Sequence, residues 1–236
     1  MTRLLSPRAA ALAGLCSLLL GASPAWARDW NASGFDKVDL AASASVQIHA
    51  APGFAVQADG DPDLIRRLDI AVRRGTLVIG WLPDQAPHGM RNQRLAIRVT
   101  MPRVAGATVS GAGTIAVDRA DAPTFAGRVG GAGTLRIATL RTHEALLDVS
   151  GTGSLEAAGT ADRVVAHLTG VGSIKTGALG ARAGLIGMSG TGSVVARIDG
   201  PVEVRLSGLG SVNVLGKPTC VIRKSGWGSV RCGASR

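Results

Sequence analysis

Three groups of residues have types and spacings suited to chemistry. The first is Gly111-Ala112-Gly113-Thr114-Ile115-Ala116, inside VSGAGTIAV (109–117). It fits the loosest Gly-x-Gly-x-x-Gly/Ala pattern of a turn that cradles phosphate. The second is Arg128, Asp148 and His167, spaced about 20 residues apart and continued by Arg205. A carboxylate, an imidazole and guanidinium groups on one face would suit acid–base work on a polysaccharide, or the gripping of one. The third is the pair Cys220 and Cys232, suited to a disulfide or to half of a metal site.

The phosphate reading fails on repetition. SGAGTIAV (110–117) recurs as GGAGTLRI, SGTGSLEA, TGVGSIKT, SGTGSVVA, SGLGSVNV and SGWGSVRC. The paired glycines are Gly111 with Gly113, Gly131 with Gly133, Gly151 with Gly153, and Gly170 with Gly172. Gly190 with Gly192, Gly208 with Gly210, and Gly226 with Gly228 complete the series. A dinucleotide loop occurs once, between a strand and a helix, whereas this motif occurs seven times with strand-like sequence on both sides. Calcium-binding Gly-rich repeats need a recurring Asp after the glycines, and none recurs here. The serines stand as Ser-Gly-x-Gly, not as the Gly-x-Ser-x-Gly of a nucleophile elbow.

The other candidates are sparse. His49 and His88 stand alone, and His143-Glu144 reads as a solvated loop pair. Glu144 and Asp162 are 18 apart, close to one repeat, and are same-face candidates, while Asp118 meets Ala138 twenty residues on. The histidine nearest the cysteines is His167, 53 residues before Cys220, so a disulfide is expected and a zinc site is not. No metal and no cofactor is expected. The plain alternative for Arg128, Asp148, His167 and Arg205 is a surface ladder of opposite charges, and it is the preferred one.

The elements that position these residues follow from the period. Each unit ends in an aliphatic residue (Ile115, Leu135, Leu155, Ile174, Val194, Val212, Val230), and alternating runs such as TFAGRV and VEVRLS lie between units. Alternation is the signature of a half-buried strand. A coil of about 20 residues at about 3.3 Å each has an outline of roughly 66 Å, or three sides of about 20 Å. The expected fold is all-β: a β-helix-like parallel β-solenoid of about seven coils with an N-terminal β-rich cap. All fourteen paired glycines are expected to supply sharp corners, in left-handed or otherwise strained backbone, and room for stacked corners to approach. The adjoining Thr114, Thr134, Ser154, Ser173, Ser193, Ser211 and Ser229 would form a hydroxyl ladder. Trp227, in the last corner, is expected to plug the end of the solenoid, the alternative being a sugar-stacking platform.

Before the repeats, residues 28–105 read as a cap continuous with the repeat region 106–236 in one domain. A hairpin is expected around Pro52-Gly53, a short helix after Asp61-Pro62, and a second hairpin around Arg74-Gly75. A polar loop covers 82–93, and a strand over 94–102 leads into the first coil.

Residues 1–27 read as a signal peptide. Arg3 and Arg8 precede an apolar run too short to span a bilayer, and SPAWA supplies a small-x-small cleavage site after Ala27. A lipoprotein signal fits less well, because Cys16 follows Leu15. Removing Arg3 and Arg8 from 26 Lys and Arg leaves 24 against 16 Asp and Glu, a net charge of +8. The arginines are scattered, there is no Tyr and only three Phe, so nucleic acid is not an expected partner. No transmembrane segment is expected after processing. The expected protein is exported, to the periplasm or cell surface.

The blocks FDKVDLAASASVQI, LDIAVRRGTLVIGW and RLAIRVTMPRVAGATVSGAGTI, with the serial Ser-Gly-x-Gly-Ser units, resemble one bacterial family over roughly 35–232. It is that of exported proteins with an auto-transporter adhesin "head GIN" domain (domain of unknown function 2807). The resemblance implies a β-helix-like fold, an extracytoplasmic location and an adhesive role, and it brings no catalytic residues. The expected function is a non-enzymatic envelope module, adhesin-like, scaffolding or ligand-binding. Its partner would be a surface ligand, a glycan or another envelope protein, with homo-oligomers formed end to end or by face packing. The alternative is a carbohydrate-binding or carbohydrate-processing β-helix using Arg128, Asp148 and His167.

Overall fold

A computed structural model describes residues 27–87 and 95–233. The expected leader, apart from Ala27, lies outside the described residues, as does His88. The described chain is nearly all-β, and its stacked parallel strands form a β-solenoid of about six turns.

The N-terminal region contains β1 (Ala27–Trp30), β2 (Lys37–Leu40), β3 (Ser45–Ala50), β4 (Ala55–Gly60), α1 (Pro62–Arg66), β5 (Leu68–Arg73), β6 (Thr76–Trp81) and β7 (Leu95–Met101). Asp61 caps α1 by accepting from the Asp63 N–H at 2.8 Å, with Pro62 in the first turn. β5 and β6 form the expected hairpin, Arg73 opposite Thr76. Its two loop residues, Arg74 and Gly75, have φ of 51° and 75°, as a type I′ turn requires.

The other expected hairpin does not form. β3 and β4 do not pair with each other; they flank β7, β3 in parallel and β4 antiparallel. Moreover, β2 and β3 lie between β6–β7 on one side and β8 (Gly106–Val109) and β9 (Thr114–Val117) on the other. The chain lays down its second layer first, then returns to build the layer beneath it. Both backbone edges of β3 are therefore taken by distant strands, and a local turn cannot compete.

Beyond β9 the turns stack in chain order. The strands are β10 (Ala120–Asp121), β11 (Thr124–Val129), β12 (Thr134–Val149), β13 (Ser154–Leu168), β14 (Val171–Met188), β15 (Thr191–Ile198), β16 (Pro201–Leu206), β17 (Leu209–Leu215), β18 (Thr219–Lys224) and β19 (Ser229–Cys232). The aliphatic ladder runs in register from Ile115 through Leu135, Leu155, Ile174, Val194 and Val212 to Val230. Its first six members are buried, and Val230, on the last coil, is partly buried. No single repeat could bury this column; stacking does so.

Close approach, not backbone handedness, explains most corner glycines, which corrects the left-handed corner expected from the sequence. Of the fourteen, only Gly192 and Gly210 have positive φ. Among the first glycines of the pairs, a Cβ on Gly131 would lie 1.9 Å from the Gly111 carbonyl oxygen, and one on Gly190 would lie 1.9 Å from that of Gly170. The second glycines Gly133, Gly153, Gly172 and Gly228 are likewise not left-handed. Their added Cβ atoms would lie 2.1, 2.3, 2.1 and 2.4 Å from the carbonyl oxygens of Gly113, Gly133, Gly153 and Gly210. Each of these corners is crowded by the backbone of the turn before it. The Thr/Ser positions after the corners do form one column in register, and Thr134 Oγ1 lies 3.3 Å from Ser154 Oγ.

Candidate functional site

The register sets Arg128 beside Asp148, Asp148 beside His167, His167 beside Gly187, and Gly187 beside Arg205. Arg223 continues the column. The inward neighbours Val129, Val149, Leu168, Met188 and Leu206 are buried, so alternation turns this column outward. The His167 imidazole lies across Gly187, where a Cβ would meet Nδ1 at 2.6 Å. Among the described residues no hydrogen bond or ion pair joins Arg128, Asp148 and His167. Arg205 is turned aside to Glu203, with Nε 2.8 Å from Oε1. Arg205 lines a concavity near the C-terminal end, while Arg128, Asp148 and His167 line neither that one nor the main groove described next.

A concavity of about 720 Å³ belongs to the neighbouring side of the solenoid. Its floor is mostly alanine (Ala116, Ala138, Ala157, Ala158, Ala178), with Gly177 and Val195. On its rim Glu156 sits between Arg136 and Lys175, at 3.3 Å and 3.0 Å. Bulges between Ile137 and Leu140, Glu156 and Ala158, and Thr176 and Gly180 bend the strands here. The sequence signal for this groove was available: small residues follow the outward charged position in turn after turn (RIATL, EAAGT, KTGAL).

A third edge carries imidazole–carboxylate pairs that sequence spacing misses. His49 is not solitary, since its Nδ1 lies 3.2 Å from Asp118 Oδ2 across 69 residues of chain. His143 is not joined to Glu144; its Nδ1 lies 2.7 Å from Asp162 Oδ2, and Arg182 reaches Asp162 Oδ1 at 3.2 Å. Glu144 stands in register with Arg163, so Glu144 and Asp162 are not a carboxylate pair. Partial burial pushes the Asp118 carboxyl up. The N–H groups of Ala50 and Arg119, with His49, outweigh this and hold it below the ordinary carboxylate range. The hydrogen bond from His143 lowers Asp162, with help from the Arg182 charge.

Depressed carboxylates stabilise the fold above the ordinary carboxylate range, and that contribution is lost as pH falls through the folded-state value. Denaturant unfolding at neutral pH and near pH 3 should therefore show an acid-sensitive component. Asp118→Ala is expected to cost about 1 kcal/mol at neutral pH, as the site is half exposed, and to make the acid limb shallower. An unaltered limb would show that these pairs do not couple pH to stability.

At the C-terminal end, the Cys220–Cys232 disulfide joins β18 to β19, with Cα atoms 6.5 Å apart. Trp227 does not plug the end: it is 93% exposed. The corner position it occupies points outward in every turn, from Ala112 and Ala132 to Val171 and Leu209.

Among the described residues no three His, Cys, Asp or Glu side chains are grouped to hold a metal, and no helix is long and apolar enough to cross a membrane. The family described as "Putative auto-transporter adhesin, head GIN domain" matches residues 34–218. The chain belongs to this family. A putative adhesin from Bacteroides fragilis NCTC 9343 has a similar fold, with a TM-score of 0.83 at 22% identity over 89% of this chain and 96% of that one. A putative lipid binding protein from Parabacteroides distasonis ATCC 8503 gives 0.69 at 15% identity, over 89% and 96% of the two chains. A putative adhesin from Parabacteroides merdae ATCC 43184 gives 0.68 at 12%, over 89% and 96%. These likenesses are of fold. A search of the curated proteins finds no match. The head GIN match ends before β18, so the disulfide-bonded last coil lies beyond it.

Proposed function

We propose that this head GIN chain is an exported, non-enzymatic envelope module that binds a surface ligand, a glycan or another envelope protein, through the sides of its solenoid. One observation carries the reading. The outward polar residues stand as ladders along the sides of the solenoid, and Arg128, Asp148 and His167 do not converge on a cleft where a substrate bond would be held. Acid–base catalysis needs donor and acceptor converging on one reacting centre; adhesion needs a repeated, pre-organised surface. Export is supported by the family and by the disulfide.

A second reading, carbohydrate recognition along the same ladder, is supported by the continuous register from Arg128 to Arg205. A glycan and surface-polymer array separates the two. Binding that the Asp148→Ala/His167→Ala double variant loses by tenfold or more supports the ladder as the carbohydrate site. Binding unchanged in that variant places the ligand elsewhere on the module. Turnover of a polysaccharide by the wild type would overturn the non-enzymatic reading.

A further inference from the structure

The last coil differs from the others in what it exposes. From Lys217 to Arg231 the chain has four basic residues and no acidic one. Arg205, Arg223 and Lys224, with the hydroxyls of Ser207 and Ser225, line a concavity of about 500 Å³ beside Ile222. Glu203 approaches both arginines at Nε, 2.8 Å from Arg205 and 3.6 Å from Arg223. Two guanidinium groups thus share one carboxylate among the described residues. Trp227 is 93% exposed, and Val221 and Ile222 are 57% and 45% exposed.

We propose that this coil docks edge-on onto an anionic phospholipid surface. The basic concavity takes lipid phosphates, and Trp227 and Ile222 enter the boundary between headgroups and acyl chains. Guanidinium and ammonium groups make charge-assisted bonds to phosphate, and tryptophan favours an interface that is apolar on one side and wet on the other. The geometry fits in depth. A coil is about 4.8 Å thick, and interfacial elements sink about 5–10 Å. Among the described residues the outer edges of β18 and β19 are unpaired; they keep the coil at headgroup level, since unpaired strand edges do not enter hydrocarbon.

Charges on a terminal edge also discourage strand pairing between copies, but that role gives no reason for a fully exposed tryptophan. A tail-to-tail dimer would set Arg223, Lys224 and Arg231 against their own copies. The proposal concerns the end of the solenoid; its concavity shares Arg205 and Arg223 with the far end of the outward column, so the ladder is tested at Asp148 and His167, which do not line it.

The test is co-sedimentation of the oxidised full chain with vesicles of equimolar phosphatidylglycerol and phosphatidylcholine, against pure phosphatidylcholine. The expected result is salt-sensitive binding to the anionic vesicles alone. Arg223→Ser/Lys224→Ser should weaken it about 25-fold, at about fivefold per basic residue, and Trp227→Ala several-fold. All three side chains are exposed, so circular dichroism and thermal unfolding should match wild type. Equal binding to neutral vesicles, no binding, or indifference to both variants would overturn the proposal. So would tighter binding to soluble alginate that depends on the same residues. Loss of the ladder ligand in the Asp148→Ala/His167→Ala variant leaves vesicle binding intact if the two surfaces are separate.

Discussion

Gly131→Ala should abolish soluble folding, or cost at least about 4 kcal/mol in denaturant unfolding. The added methyl would lie 1.9 Å from the Gly111 carbonyl oxygen and 2.7 Å from that of Ser110. Both atoms are backbone, and both sit in a column whose spacing is fixed by hydrogen bonds, such as Ala132 N–H to the Gly111 carbonyl at 3.1 Å. No rotamer change relieves such a contact, so one turn must separate from the next. Gly130→Ala, one residue away, is the matched control. Its Cβ would find only Ser150 Oγ, at 3.8 Å, and other turns already carry Ser110, Ser150 and Ser189 at this position. It should be neutral within about 0.5 kcal/mol. Equal effects from the two substitutions would refute close approach as the reason for the corner glycines.

The same contrast shows what the sequence makes legible. A residue's place within the repeat determines its direction, because stacking forces every turn into one conformation. The ladder from Ile115 to Val230 could be assigned to the core for that reason, while Cys220 and Cys232 could be paired as the two cysteines left in an exported chain with no histidine near them. The same rule, applied strictly, places Trp227 outside: it holds the position of Ala112 and Leu209, and its hydrophobicity does not reverse a corner. Contacts that leave the period were hidden. His49 meets Asp118 across 69 residues because β3 is laid between layers formed later, and no local pattern encodes that order. The alternation in 45–60 identifies two strands but not their partners, so the hairpin expected there was a sound local inference overruled by two stronger distant edges. The alanine-floored groove arises from bulges, which shift register without changing the hydrophobic pattern around them.

Reduction of Cys220–Cys232 should loosen the last coil by about 3 kcal/mol, the loop-closure entropy of a cross-link across 12 residues. The loss should be local. In β18, Cys220 and Ile222 hold the inward positions above Val202 and Val204, and in β19 Val230 and Cys232 hold those above Val212 and Val214. With no further coil above them among the described residues, these side chains are only partly covered, Ile222 being 45% exposed. Hydrophobic burial that holds the interior turns is therefore weakened here, and the disulfide ties together the two sides that packing holds loosely. In a solenoid each turn contacts only its neighbours, so the interior turns of β12 to β14 lose nothing directly. Hydrogen exchange should accelerate in β18 and β19 on reduction, or in Cys220→Ser/Cys232→Ser, while β12 to β14 keep their protection. Uniform acceleration would make the bridge a global fastener, and no acceleration would make it dispensable. Because Arg223, Lys224 and Trp227 lie within the loop it closes, reduction should also weaken binding to anionic vesicles while leaving the Arg128–Asp148–His167 side unchanged. That split in response separates the two surfaces without mutating either.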